Sequence, residues 1–419
     1  MDFQNKNITI IGLGRSGTYA AILAQDLGAR VKITESQETP AVKESLTVLT
    51  GRNLTIEVGR HSQDFILGQD LIIASPGVPP NSEPIKWAEN NNIPIISEIE
   101  FAFLVCPAPI VAITGTNGKT TVTTLIAEVL QKTKRRVFAC GNIGEPFTKV
   151  VSQIKKEDLV SLEASSFQLQ RTKKFHPKVA VILNFTPDHL NYHKDLEEYL
   201  EAKKRIFLNQ KEDDWAILNY QDKVVRDLSK ETKAKVLFFN KKLSLNPNFE
   251  AASITGEIFG VSKKESSEIF RDFKGIEHRL EYIGSIKDVD FINDSKATNV
   301  DSTIWALNRI TKPIILIAGG RDKGTDYSPI YELIKSKVKH MFVIGEAKDK
   351  IKTALSKAVK TEEAASLKEA MEKGLLIAQK GDSVLLSPMC ASFDMFINYE
   401  DRGDTFRREF LELKKIYEE

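Results

Sequence analysis

The stretch Ile110-Val-Ala-Ile-Thr-Gly-Thr-Asn-Gly-Lys-Thr-Thr121 constrains this chain more than any other. An apolar run ends in a glycine turn. An amphipathic helix follows, with apolar residues at Val122, Leu125, Ile126, Val129 and Leu130. Strand, glycine loop and helix N-terminus in that order place the backbone N–H groups where they cradle phosphate oxygens, and the helix dipole favours the negative charge. Lys119 would reach the outer phosphates, and the Thr120 hydroxyl would bind Mg²⁺. The full pattern has a glycine where Ile113 stands, so this is a shortened loop, Gly-x-x-Gly-Lys-Thr. A surface turn that happens to hold Gly-Lys-Thr would not need the flanking strand and helix. The reading is a nucleoside triphosphate site.

At 419 residues, the chain has room for more than one such unit, and three domains is the natural division. The net charge of +2 gives no general pull toward nucleic acid or a membrane surface. Cys106, Cys140 and Cys390 show no metal spacing, as expected of free thiols in a reducing compartment. The N-terminus runs straight into a strand with no signal peptide, and no apolar run is long enough to span a bilayer. The expectation is a cytoplasmic, multidomain α/β protein.

Residues 7–12 read as a first strand, followed by Gly12-Leu-Gly-Arg-Ser-Gly17, a helix over 18–27 and a second strand, Val31 to Thr34, ending at Glu35. This is the dinucleotide fingerprint, with an acidic residue about 20 positions on. It fits NAD, and it fits a uridine diphosphate equally well. Leu71-Ile-Ile-Ala-Ser-Pro-Gly-Val78 is another strand running into a turn. The pattern restarts near Cys106-Pro-Ala-Pro109. Strands then end at Gly141-Asn-Ile-Gly144, at Glu163-Ala-Ser-Ser166 and at Asn184-Phe-Thr-Pro-Asp-His189. Glu163 and His189 are candidate metal or water-positioning groups, because several polar strand ends converge on the edge that carries the phosphate loop.

The helix expected over 196–207 puts Leu196, Leu200 and Phe207 on one face, with Lys203 in its middle. Such a lysine either snorkels to water, or has a partner, or is chemically modified. A second boundary falls near Glu277. Beyond it the α/β rhythm returns, with strands at Phe291, Pro313, Met341 and Ser383. The domains expected are 1–105, 106–277 and 278–419: a Rossmann-like N-terminal domain, a central phosphate-loop ATPase-like domain with a mainly parallel sheet, and a C-terminal Rossmann-like α/β domain.

Gly115-Thr-Asn-Gly-Lys-Thr-Thr121, Gly141-Asn-Ile-Gly144, Glu163-Ala-Ser-Ser-Phe-Gln-Leu169, Asp188-His189, Asn293-Asp-Ser-Lys-Ala-Thr-Asn299 and Ser387-Pro-Met-Cys-Ala-Ser-Phe-Asp394, in this order along the whole chain, resemble the Mur ligases of peptidoglycan synthesis. The Gly-Leu-Gly-x-Ser-Gly loop with Ala74-Ser-Pro-Gly77, and the C-terminal stretch ending in Asn398-Tyr-Glu-Asp-Arg-Gly403, resemble the branch that joins D-glutamate to UDP-N-acetylmuramoyl-L-alanine. The resemblance implies that ATP phosphorylates the substrate carboxylate and the amine attacks the acyl phosphate. It places Gly115, Thr116, Asn117, Gly118, Lys119, Thr120, Thr121, Asn248, Arg279 and Asp294 on ATP. It makes Lys119, Glu163, His189 and Lys203 catalytic, with Thr120, Glu163, His189 and Lys203 around two Mg²⁺ ions and Lys203 carried as an N-carbamate. Gly14, Arg15, Ser16, Glu35, Ser75, Pro76, Gly77, Asn142 and Ser165 would bind the nucleotide sugar. Lys296, Thr298, Lys323, Ser392, Phe393 and Tyr399 would lie near the acceptor and the incoming glutamate. Leu245 replaces one of two adenine-side asparagines, and a Thr-Arg pair at the uracil is missing around Glu35-Ser36-Gln37. The implied protein is a monomer. The other readings are a Mur or folylpolyglutamate-type ligase with a different amino acid, an NAD-dependent oxidoreductase with an accessory ATPase domain, and a phosphate-loop ATPase acting as a binding module.

Overall fold

A computed structural model describes residues 2–189, 192–242 and 246–418. It forms two compact units, Met1–Pro187 with Tyr192–Phe273 and Asp188–Asn191 with Lys274–Glu419.

The first unit holds two parallel sheets. One contains β1 (Asn7–Ile11), β2 (Arg30–Glu35), β3 (Thr55–Val58), β4 (Leu71–Ala74) and β5 (Ile95–Ser97), in the order β3-β2-β1-β4-β5. The chain steps outward from β1 to β3, then returns to the other side of β1. The loop after β1 therefore lies where the strand order reverses, the usual ligand crevice of an open parallel sheet. The second sheet contains β6 (Ile110–Thr114), β7 (Val137–Gly141), β8 (Leu159–Glu163), β9 (Val179–Ile182), β10 (Trp215–Asn219) and β11 (Lys235–Phe239), in the order β11-β10-β9-β6-β8-β7. All residues of β6 are buried, as a strand covered on both faces requires. The helix Lys119–Gln131 buries Val122, Leu125, Ile126, Val129 and Leu130, the stripe read from the sequence.

A continuous core joins these two sheets, with Phe3 edge-on to Phe101 and Phe103 edge-on to Phe175. Polar groups also tie them together. The Glu100 carboxylate accepts from Lys174 N (2.7 Å) and Phe175 N (2.9 Å), and Ser97 N donates to Arg171 O (3.2 Å). Gln168 Nε2 donates to Glu98 Oε1 at 2.7 Å, and burial pushes the Glu98 carboxyl up to about 7.

The second unit is a mixed sheet of β12 (Glu281–Ile286), β13 (Val289–Asn293), β14 (Ile314–Gly319), β15 (Val338–Ile344), β16 (Thr361–Glu363) and β17 (Ser383–Leu386), in the order β12-β13-β17-β14-β15-β16. β12 and β13 form an antiparallel hairpin, and the other pairs are parallel. Lys287 and Asp288 both have positive φ (50° and 61°), the two-residue turn whose twist matches the flanking strands. Cys390 is buried, with Tyr327 OH 3.1 Å from its sulfur, and burial pushes its thiol up to about 11.

Some expected elements shift. The first helix begins at Arg15 rather than at residue 18, because the glycine loop closes directly into it. The helix expected through Phe207 ends at Lys204 and tightens into a 3₁₀ turn, Arg205–Phe207. Leu245 lies outside the described residues.

Candidate nucleotide and substrate site

Gly115 (φ 152°) and Gly118 (φ 85°) let the chain turn tightly from β6 into its helix. A Cβ on Gly115 would sit 2.9 Å from the Leu183 Cβ. Asn184, at the end of β9, holds the loop open. Its Oδ1 accepts from Asn117 N (2.8 Å), and its Nδ2 donates to Asn117 O (3.0 Å). Thr116 Oγ1 donates to Thr186 O at 3.1 Å. Lys119 Nζ donates to the carbonyls of Gly115 (3.0 Å) and Thr116 (2.8 Å). Thr120 is buried at the helix start, beside Thr121. Asn248 Oδ1 lies 3.4 Å from where a Cβ on Gly118 would stand.

Lys203 does not snorkel to water. It is 1 % exposed, its Nζ donates to Gly115 O at 2.7 Å, and it lies 4.5 Å over the Tyr199 ring. Tyr199 OH is 3.2 Å from Thr116 Oγ1. The same helix therefore grips the phosphate loop twice. His193 stands beside this group, its Nε2 2.9 Å from Ser166 Oγ. Burial holds the imidazole below its usual range, as does the Lys203 charge, while Glu198 pulls the other way.

Glu163 ends β8, in register with Ile113 of β6. Its Oε1 accepts from Asn142 Nδ2 at 2.8 Å. Its Oε2 is buried and accepts no hydrogen bond among the described residues. Gly141 permits this approach, since a Cβ there would be 2.3 Å from Glu163 O. Ser165 caps the next helix by accepting from Gln168 N.

Small-molecule pockets measure about 300–1,000 Å³, and the cavity at the first glycine loop measures ≈ 800 Å³. It is lined by Gly14, Arg15, Ser16, Glu35, Ser75, Pro76 and Gly77 of the first sheet and by Asn142 of the second, all expected from the sequence. A Cβ on Gly17 would strike Gly12 O at 1.9 Å, so the first turn of the helix lies directly on the loop. Glu35 Oε2 accepts from Leu13 N (2.8 Å) and its Oε1 from Gln37 N (2.9 Å). Ser75 Oγ donates to Gly12 O at 2.9 Å. Arg15 is exposed and 3.4 Å from Glu145. A smaller cavity, ≈ 400 Å³, lies against Glu198 and Arg205 and contains none of the expected residues.

In the second unit, Asp294 Oδ2 accepts from Ser387 Oγ (2.8 Å) and Oδ1 from Leu280 N (3.2 Å). Burial pushes its carboxyl up to about 7 against the pull of Arg279 and Arg402. The Arg279 guanidinium lies 5.6 Å from the Trp305 ring centre. Lys296 Nζ donates to Tyr399 OH at 2.7 Å, and Thr298 N donates to Lys296 O at 3.0 Å. Ser392 is buried, whereas Phe393 is 63 % exposed. His189 belongs to this unit and has a left-handed backbone (φ 58°). Its neighbour Asp188 accepts from Asn299 Nδ2 (2.9 Å) and lies 4.0 Å from Lys323 Nζ. Burial raises the Asp188 carboxyl, but the His189 and Lys323 charges outweigh it and hold it below its usual range.

The structure thus gathers Gly115–Thr121, Lys203, Glu163, Asn142 and Asn248 with the first-sheet loops in one unit, and His189, Arg279, Asp294, Lys296, Thr298, Lys323, Ser392, Phe393 and Tyr399 in the other. Asn184, His193 and Tyr199 escaped the sequence reading. Their partners are remote in the chain, and only the polar exit of the strand before Asn184 hinted at one of them.

Family models match in chain order. They are the Mur ligase MurD-like N-terminal domain over residues 6–97, the Mur ligase middle domain over 113–286, and the Mur ligase glutamate ligase domain over 278–390. Two relatives named UDP-N-acetylmuramoylalanine–D-glutamate ligase come from Thermoanaerobacter sp. (strain X514) and Caldicellulosiruptor bescii. The first is 38% identical, covering 99% of this chain and 100% of the relative. The second is 39% identical, covering 99% of each. Among solved structures, the UDP-N-acetylmuramate-alanine ligase of Thermotoga maritima matches with a TM-score of 0.60 at 19% identity, covering 98% of this chain and 99% of that one. The MurF ligase of the same organism, solved in complex with ADP, matches with a TM-score of 0.60 at 17% identity, covering 98% and 96%.

Proposed function

The chain belongs to the Mur ligase family, and from that premise we propose that it joins D-glutamate to UDP-N-acetylmuramoyl-L-alanine at the expense of ATP, in peptidoglycan synthesis. Asn142 carries this reading. It lines the cavity of the first glycine loop and also donates to Glu163 beside the phosphate loop. A substrate anchored by its uridine diphosphate at Arg15 and Ser16 would extend its carboxylate toward the triphosphate. The carboxylate oxygen attacks the γ-phosphorus and ADP leaves. The glutamate amine then attacks the acyl carbon, and phosphate departs from the tetrahedral intermediate. Positioning and charge neutralisation carry most of such catalysis.

Lys119, which donates to its own loop carbonyls, would turn to the outer phosphates. Glu163 Oε2, which is buried and accepts no hydrogen bond among the described residues, and the buried Thr120 hydroxyl would hold Mg²⁺. Mg²⁺ held there would neutralise charge on the transferring phosphoryl group. His189 and Lys203 would serve a second ion. N-carboxylation of Lys203 leaves one N–H on Nζ, so its bond to Gly115 O can persist while the new carboxylate acts as ligand. In the second unit Lys296, Thr298, Lys323, Ser392, Phe393 and Tyr399 serve the incoming glutamate, and Arg279 and Asp294 the nucleotide. The domain limits are 1–105, 106–277 and 278–419, and the enzyme works as a cytoplasmic monomer. Among the described residues no helix is long and apolar enough to cross a membrane.

The test is phosphate release from ATP with UDP-N-acetylmuramoyl-L-alanine and Mg²⁺, offering D-glutamate, L-glutamate, glycine or meso-diaminopimelate. Release with D-glutamate alone is expected. Release with another amino acid would keep the chemistry and change the acceptor. Release with none would remove the ligase reading.

A further inference from the structure

The second unit contains a buried cation that this reaction scheme leaves unused. Arg402 is 1 % exposed and lies in the first turn of the helix Tyr399–Glu418. Its Nε donates to Ser295 Oγ (3.0 Å), and its Nη2 to Ser295 O (2.8 Å) and Cys390 O (3.2 Å). Its Nη1 donates to Cys390 O (3.2 Å) and Ala391 O (3.3 Å). Every acceptor is neutral. Asp294 and Asp394 act on the guanidinium only from a distance.

Three loops meet at this side chain. Ser295 belongs to the loop that carries Lys296 and Thr298. Cys390 and Ala391 lead into Ser392 and Phe393. The third loop, Gly319 to Lys323, is pinned by the bond from Arg321 N to Ala391 O (2.8 Å). A Cβ on Gly320 would stand 2.2 Å from Ala391 O and 3.1 Å from Arg402 Nη1. Tyr399, the partner of Lys296, starts the helix of Arg402 itself. The planar fork reaches these three carbonyls and the Ser295 hydroxyl from three nitrogens at once, whereas a lysine would have to serve them from a single nitrogen. Because no carboxylate among the described residues pairs with it directly, its charge is left to act on the surrounding site, where low dielectric strengthens the effect.

We propose that Arg402 is a positioning and selectivity residue. Its fork fixes the Ser295 and Cys390–Ala391 loops, and through Ala391 O the Gly319–Lys323 loop, and its uncancelled charge favours an incoming amino acid with an anionic side chain. This rests on the D-glutamate reading above.

The experiment uses full-length enzyme, steady-state phosphate release with D-glutamate, and D-glutamine as a neutral competitor of nearly the same shape. Arg402→Met is expected to raise KM for D-glutamate about tenfold, with the Ki of D-glutamine and the KM values for ATP and the nucleotide sugar changed less than about twofold. Arg402→Lys should restore most of the preference for the charged side chain, but not kcat. Ser295→Ala removes one acceptor and keeps the charge. It should lower kcat and leave the preference intact, and it serves as well if Arg402→Met does not fold. Equal losses for D-glutamate and D-glutamine in Arg402→Met, or a changed preference in Ser295→Ala, would overturn the selectivity role while the ligase reading stands. Wild-type enzyme without D-glutamate turnover would overturn both.

Discussion

The loops at Gly12–Gly17 and Gly115–Gly118 have nearly the same backbone task. Each follows a buried parallel strand at a point where strand order reverses, and each closes into a helix. They differ in what holds them. A carboxylate, Glu35, accepts the Leu13 N–H in the first loop. Two amines, on Lys119 and Lys203, donate to the Gly115 carbonyl in the second. A loop that already presents a carboxylate suits a ligand with less negative charge at that point. A loop ringed by lysines suits a triphosphate. The glycine pattern therefore reports a phosphate near a helix N-terminus, and the charges stitched around it report which one.

The largest expected effect comes from breaking the second loop's stitching. Lys203→Ala should lower phosphate release by about 10²–10³-fold or more, with partial rescue by acetate as a stand-in for the carbamate. Wild-type-like turnover would remove the carbamate role. Lys119→Ala should lower turnover by about 10²–10³-fold but leave binding of the nucleotide sugar unchanged, as calorimetry would show. A smaller effect is expected at the first loop. Gly17→Ala puts a methyl group 1.9 Å from Gly12 O, on backbone that has no room to yield. It should weaken nucleotide-sugar binding and lower the melting temperature while ATP-analogue binding persists. Loss of both ligands would mean that the loops are not separable.

The smallest effect is on pH dependence. Glu98 and Asp294, one in each unit, are both pushed up to about 7 by burial. Unfolded, each would release its proton near about pH 4. Between roughly pH 4 and 7 the folded chain therefore holds the extra protons, so stability falls as pH rises through that window and levels off above it. Glu98→Gln keeps an acceptor for Gln168 and removes the titration. Its melting temperature should drop less between pH 5 and pH 8 than that of the wild type. An equal drop would show that Glu98 is ionised in the fold throughout.

Much of the first unit was legible because its signals are local. Strand, glycine turn and helix stripe follow one another within a dozen residues around Gly115, and the lysine inside an apolar stripe marked Lys203 as unusual. Residues whose role depends on distant partners were not legible. His193 meets Ser166 across 27 residues, Asn117 meets Asn184 across 67, and Arg402 meets Ser295 across 107. No spacing rule announces such pairs. Strands β3, β5, β10, β11 and β16 were also missed. The edge strand β16 reads Thr-Glu-Glu, which carries no apolar alternation.

The division of labour between the two loops is tested most directly by one calorimetric experiment on the wild type and Lys119→Ala. The enzyme is saturated with a non-hydrolysable ATP analogue and Mg²⁺, then titrated with UDP-N-acetylmuramoyl-L-alanine. The wild type should take up one equivalent of the nucleotide sugar on top of the bound analogue. Lys119→Ala should lose the analogue and still bind the sugar nucleotide with unchanged affinity. Competition between the two ligands, or loss of both in Lys119→Ala, would contradict separate uridine and adenine sites.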